Sequence, residues 1–239
     1  MLGIKRTLAS TALIVLVAVP CLAATIEEVE KDLVAAIKKT KSMKGNMKSD
    51  IHVTFQGYEM SSVSEATIEA LRDGETFKMR TEGTAKSSQK MGGNETKNEQ
   101  KMMTISDGEY SYSLVESEGT KNATKTKPIS AEEMPWSHYG KDVELKVLPD
   151  EKIDDADCYV VEMKMAPGGP AVGMDKIVFY CRKDCGMQVK TVGYTPEGKV
   201  MMTTVVTDLE LNKSIPPSRF VFEAPEGVTV VDMSETQMP

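Results

Sequence analysis

After Gly45 the hydrophobic period of this chain is two. Ile51, Val53 and Phe55 alternate with His52 and Thr54, and Ala66, Ile68 and Ala70 alternate with Thr67 and Glu69. Phe77, Met79 and Thr81 continue the pattern, as do Tyr110, Tyr112 and Leu114. Residues two apart share one face of a strand, so this spacing predicts half-buried strands and rules against a helical domain. Further strands are expected at Val143 to Val147, Tyr159 to Met165, Lys176 to Cys181, Met187 to Tyr194 and Met201 to Leu209. Arg72-Asp73-Gly74-Glu75, Ala166 to Gly173 and Pro196-Glu197-Gly198 read as turns. Strands at this spacing, joined in sequence, predict a mainly β, antiparallel up-and-down sheet. Gly83 to Gln100 and Glu116 to Lys127 lack apolar periodicity and read as surface loops. No nucleotide-binding βαβ unit and no repeat of fixed period occurs.

Ahead of the sheet the pattern differs. Lys5 and Arg6 precede an apolar run from Leu8 to Val19, followed by Pro20-Cys21-Leu22-Ala23-Ala24. About a dozen apolar residues are too few to span a bilayer, which needs about 20, so residues 1–23 read as a cleaved export signal. Residues 24–239 then form one domain. Cys21 offers a lipid-anchor alternative, but Pro20 is a poor match for the residue before such a site. Without Lys5 and Arg6 the chain carries 27 basic and 36 acidic residues, a formal charge of −9. That balance argues against nucleic acid and against docking on anionic headgroups. Thr25-Ile26-Glu27-Glu28 is a capping box, and Ile26, Val29, Leu33 and Ile37 make one apolar helical stripe. Ser130-Ala131-Glu132-Glu133 is a second box, limited by Pro135, with Trp136 beside it.

The C-terminal stretch is the most anchored. Phe220 and Phe222 would share one face of a strand that Pro225 ends and Gly227 turns, before a short edge strand at Val228 to Val231. Such a pair needs a broad apolar surface. Seventeen methionines against five phenylalanines is unusual for a β protein. Met163, Met165, Met174, Met187, Met201 and Met202 gather in the C-terminal hairpins. Flexible thioethers either fill gaps in a core or line a wall that fits several apolar shapes. Cys158, Cys181 and Cys185 remain after the leader, so an oxidising compartment predicts one disulfide and one spare thiol. A symmetric hairpin would set Cys158 opposite Cys181. The pair is then Cys158 with Cys181 or Cys185, or else Cys181 with Cys185.

Catalytic signatures are lacking. His52 and His138 read as surface residues, and no Gly-x-Ser-x-Gly, His-Glu-x-x-His or phosphate-cradling loop occurs. Glu151, Asp154, Asp155 and Asp157 read as a solvated acidic turn rather than a calcium loop. The expectation is a binding protein, not an enzyme, with no cofactor and no metal.

Two motifs carry a resemblance. Phe220-Val221-Phe222 running into Pro225-Glu226-Gly227-Val228, and Ile105-Ser106-Asp107-Gly108, resemble the Phe-x-Phe closing strand and the Ser-Asp-Gly turn of the periplasmic lipoprotein carrier LolA and its superfamily. The resemblance implies an incomplete antiparallel β-barrel (a half-barrel) with a helical lid over an apolar cavity. The helix after Thr25 would plug its mouth. The implied cargo is lipoprotein acyl chains or another lipid, passed between inner- and outer-membrane transfer proteins by a monomeric carrier. The alternative is a sensory or structural relative that binds a protein partner; a hydrolase working through His52 or His138 is the weakest reading. The cavity would be lined by Phe55, Phe77, Met79, Tyr112, Trp136, Met163, Met165, Phe179, Met187, Met202, Phe220 and Phe222. The family's lid-holding arginine matches Arg72, with Arg80 as its rival.

Overall fold

The computed structural model describes residues 24–55, 57–130, 132–139, 143–165 and 173–235. The proposed leader with Cys21, Ala131 of the second capping box, residues 166–172 of one expected turn and the side chain of Phe55 lie outside that set. Helix α1 (Ile26–Lys39) comes first. Thr25 accepts from the Glu28 amide while Glu28 accepts from the Thr25 amide, so the expected capping box closes.

Among the described residues twelve strands follow: β1 (Ser42–Phe55), β2 (Tyr58–Asp73), β3 (Thr76–Met91), β4 (Asn94–Ser106), β5 (Ser111–Ser117), β6 (Thr120–Thr126), β7 (Glu144–Ile153), β8 (Ala156–Lys164), β9 (Lys176–Arg182), β10 (Gln188–Tyr194), β11 (Val200–Leu211) and β12 (Val230–Asp232). They form one sheet in the order β12-β6-β5-β4-β3-β2-β1-β11-β10-β9-β8-β7. Every pairing is antiparallel except β12 on β6. The sheet does not close: β7 and β12 are its two ends. An open antiparallel sheet with a helix on one face is the half-barrel expected.

Several expectations are corrected. Gly83 to Gln100 is not a loop: β3 and β4 run through it and turn only at Gly92-Gly93. Glu116 to Lys127 likewise holds the β5–β6 hairpin. Both stretches alternate charged with uncharged polar residues rather than apolar with polar, so a hydrophobic period does not register them. Phe220 and Phe222 are not in a strand. Pro216 and Pro217 cannot donate to a ladder, and a 3-10 turn, Pro217–Phe220, forms instead. Of the second capping box only the Glu132 amide on the Ser130 hydroxyl is described, followed by a 3-10 turn at Pro135–Tyr139.

The β8–β9 register sets Cys158 opposite Arg182 and Tyr159 opposite Cys181, one residue from the symmetric guess. That slip puts Cys158 and Cys181 on opposite faces of the sheet. Cys158, Cys181 and Cys185 are buried free thiols, so the expected disulfide does not form among the described residues. Burial pushes the Cys181 thiol up to about 12 and the Cys185 thiol up to about 11.

The two faces differ in what covers them. On one, which we call the inner face, the α1 stripe of Val29, Leu33 and Ile37 packs on Val161, Met163, Ile177, Phe179 and Cys181. On the outer face the segment after β11 crosses the sheet. There Ile215 and Phe220 pack on Ile105, with Leu71, Met103 and Phe222 around them.

Candidate functional site

Register decides which residues share the inner face, and the result is a segregation of charge. Along β1 that face carries Met43, Gly45, Met47, Ser49, Ile51 and Val53; opposite them on β2 stand Ala70, Ile68, Ala66, Ser64, Ser62 and Met60. β3 adds Phe77, Met79, Thr81, Gly83, Ala85, Ser87 and Gln89. β4 adds Ser106, Thr104, Met102, Gln100, Asn98 and Thr96. Ser111, Ser113, Val115 and Ser117 of β5, with Thr126, Thr124 and Asn122 of β6, complete that side. Met202, Thr204 and Val206 of β11 continue it the other way. Among these strands the only charged side chain on the face is Arg72, at the end of β2. The alternate residues hold the charges: Lys44, Lys48, Asp50, Glu59, Glu65, Glu69, Arg80, Glu82, Lys86, Lys90, Glu95, Lys97, Glu99 and Lys101 all point outward.

The inner face is also the hollow one. Along β2 from Tyr58 to Ile68 its residues are half-buried, while Glu59, Val63, Glu65 and Thr67 are exposed. At Gly83 the neighbouring strand approaches so closely that a Cβ would lie 2.2 Å from the Glu65 carbonyl oxygen and 2.5 Å from the Ala66 Cβ. Only glycine allows the sheet to coil that tightly there.

Arg72 is spent on the helix. Its Nη2 donates to the Ile37 carbonyl at 2.7 Å and its Nε to the Thr40 carbonyl at 3.2 Å, while the guanidinium lies 4.3 Å over the Phe77 ring. A cation at the C-terminal end of α1 also suits the helix dipole. Other ties hold α1 elsewhere. Trp136 Nε1 donates to Glu30 at 2.6 Å, and Tyr159 donates to Asp32 at 2.7 Å. The bond to Asp32, with burial, pushes the Tyr159 hydroxyl up to about 12. Trp136 also meets Phe179 edge-on at 5.8 Å. Gly186, at φ +74°, passes under the helix where a Cβ would stand 2.6 Å from the Leu33 carbonyl oxygen.

The expected lining residues therefore divide. Phe77, Trp136, Met163, Met165 and Phe179 gather beneath or beside α1. Met79 and Met202 lie on the same face beyond it. Met202 is joined to that cluster through Met174, since both crowd Gly193. Met187 packs instead with Cys158 and Tyr180. Tyr112, Phe220 and Phe222 stand on the outer face, where Tyr112 stacks on Phe222 at 4.9 Å. They cannot reach a cavity under α1, because the sheet lies between. Arg80 is on that outer face too, donating to the Arg219 carbonyl at 3.3 Å and to Glu82 at 2.7 Å.

Arg80 thereby joins a clamp that hydrophobic periodicity did not reveal. Glu69 is 7% exposed and accepts from Arg219 Nε at 2.9 Å, with Lys44 at 3.4 Å. This pins the crossing segment. A hollow of about 840 Å³ beside the β1–β11 bulge has a charged rim that includes Lys44, Asp154, Arg182, Asp208 and Glu210. Among the described residues no cluster with metal-ligand chemistry occurs.

No family model and no curated protein matches the sequence. Solved structures do resemble it. An uncharacterized conserved protein from Thermus thermophilus superposes with a TM-score of 0.50 at 12% identity, over 84% of this chain and 98% of its own. The fold is shared with that protein. The Pseudomonas aeruginosa MucA/MucB complex gives 0.49 at 11% identity, over 82% of this chain but 60% of that one, so this chain spans less than two thirds of its length. A LolA superfamily protein from Nitrosomonas europaea gives 0.30 at 12% identity, over 84% and 99%.

Proposed function

We propose that this protein is an exported, periplasmic carrier or binder of acyl chains, non-enzymatic, with α1 as a movable cover over the inner face. The observation that carries the reading is the exclusion of charge from that face across β11 and β1 to β6, with Arg72, its one charge, committed to the cover. A protein that needed only solubility would have no reason to sort its lysines and glutamates so strictly to one side. Lifting α1 would expose Val29, Leu33 and Ile37 at roughly 2 kcal/mol each. About eight methylenes entering in their place would offset that, at about 0.8 kcal/mol each. Breaking the ties of Arg72, Trp136 and Tyr159 to α1 adds about 4–6 kcal/mol, so about 13–15 methylenes, one long acyl chain, are needed to exchange with the helix.

The test is displacement of a fluorescent fatty acid from the purified protein, with Met163→Asp beside it. A carboxylate beneath α1 should abolish uptake, because an unpaired charge there has no partner. No uptake by the wild-type chain, together with crosslinking to a protein alone, would replace this reading with partner binding.

A further inference from the structure

Resting on the acyl-chain reading, we propose that the ligand is an amphiphile with an uncharged, hydroxyl-rich headgroup, a neutral glycolipid rather than a phospholipid. The inner face is graded along β2 and β3. Near α1 they offer Phe77, Met79, Ala70 and Ile68 and farther along Ser64, Ser62, Ser87 and Gln89, with Gln100 and Asn98 of β4 beside them and Ile51 and Val53 of β1 keeping an apolar edge. A chain seated at the level of Phe77 and Ala70 extends about 15 Å, half the hydrocarbon thickness of a bilayer. At about 3.3 Å per residue that is four to five residues of strand from Ala70, which ends the chain near Ala66 and leaves Ser64, then Ser62 and Ser87, as the next groups on the face for the headgroup.

The groups waiting there are neutral. Hydroxyls and amides pair with one another there: Ser49, opposite Ser64, with Thr204 at 2.9 Å, and Ser117 donating to Asn98, opposite Ser87, at 2.7 Å. Each hydroxyl is one donor and two acceptors, so these pairs leave capacity that sugar hydroxyls can take up. A phosphate would find no cation, because Arg72 is already engaged and every other charge on β1 to β4 points outward. Desolvating an unpaired anion in such a trough is costly. An anionic headgroup is refused for the same reason that a neutral polyol is accepted.

The experiment compares three lipids with identical acyl chains: monogalactosyl diacylglycerol, phosphatidylglycerol and diacylglycerol, each competing for the purified protein against a fluorescent acyl probe. The galactolipid should bind tightest and phosphatidylglycerol weakest, with on the order of tenfold between them. Ser62→Asp should erase the galactolipid's advantage while leaving diacylglycerol binding unchanged. Ser61→Asp, on the outer face of the same strand, should change nothing. Should Ser62→Asp fail to fold, the Ser62→Ala, Ser87→Ala double variant removes the hydroxyls without adding charge and should lower galactolipid affinity alone. Equal binding of all three lipids, or preference for phosphatidylglycerol, overturns the headgroup inference and leaves the acyl carrier standing. Binding of none overturns the acyl carrier and the inference with it.

Discussion

Replacing Arg72 with alanine removes the one charged side chain that β11 and β1 to β6 place on the inner face among the described residues, and the tie nearest the C-terminal end of α1. The structure sets the size of the effect. Two charge-assisted hydrogen bonds to the carbonyls of Ile37 and Thr40 are lost, at 2.7 and 3.2 Å, each worth about 1.5 kcal/mol. The stacking of the guanidinium over Phe77 at 4.3 Å adds about 0.5–1 kcal/mol. Arg72 is only half-buried, so water replaces part of this, leaving about 2–3 kcal/mol. Expressed as the ratio of covered to uncovered protein, that is roughly a 30- to 150-fold shift. Hydrogen exchange reads it directly: amides in the last turns of α1 should lose protection by that factor while those of β8 and β9 keep theirs. The single tryptophan, Trp136, tied to Glu30 on the helix, should report the same loosening by fluorescence. Arg72→Lys, able to make one of the two bonds, should fall between. If α1 keeps its protection, or loses it only in step with the central strands, Arg72 serves general stability and the cover reading fails.

Two further outcomes follow from the polar ties. Glu69→Gln weakens the buried partner of Arg219 and Lys44. The crossing segment should become sensitive to limited proteolysis between Val221 and Gly227, with a stability loss of about 1–3 kcal/mol by urea unfolding; the lower end reflects the partial exposure of Arg219. The Tyr159–Asp32 bond should be pH-dependent at the alkaline end. Because the folded pKa is raised from 10 to about 12, the stabilisation is complete below pH 10 and fades as pH rises towards 12. Ultraviolet titration of wild type against Asp32→Asn should show one tyrosine moving back towards 10; no difference would mean the contact is not populated in solution.

The sequence by itself determined the local elements. The stripe of Val29, Leu33 and Ile37 behind a capping box makes α1, and period-two runs around Ile51, Ile68, Phe77 and Val161 make strands, because local spacing decides which side chains can be buried together. Arg72 was nameable as a helix tie only through resemblance. The polar strands escaped a hydrophobic reading, although Glu95, Lys97, Glu99 and Lys101 alternate with Thr96, Asn98 and Gln100, a period-two signal written in charge. What only the tertiary structure decided was sidedness. A single strand shows that two sets of residues part, not which set will meet α1. Pairing in register aligned the uncharged sets of β11 and β1 to β6 on one face and moved Cys158 and Cys181 to opposite sides, while the segment after β11 carried Phe220 and Phe222 to the outer surface. A one-residue slip reverses a strand's faces, and the ladder that fixes it joins residues far apart in the chain.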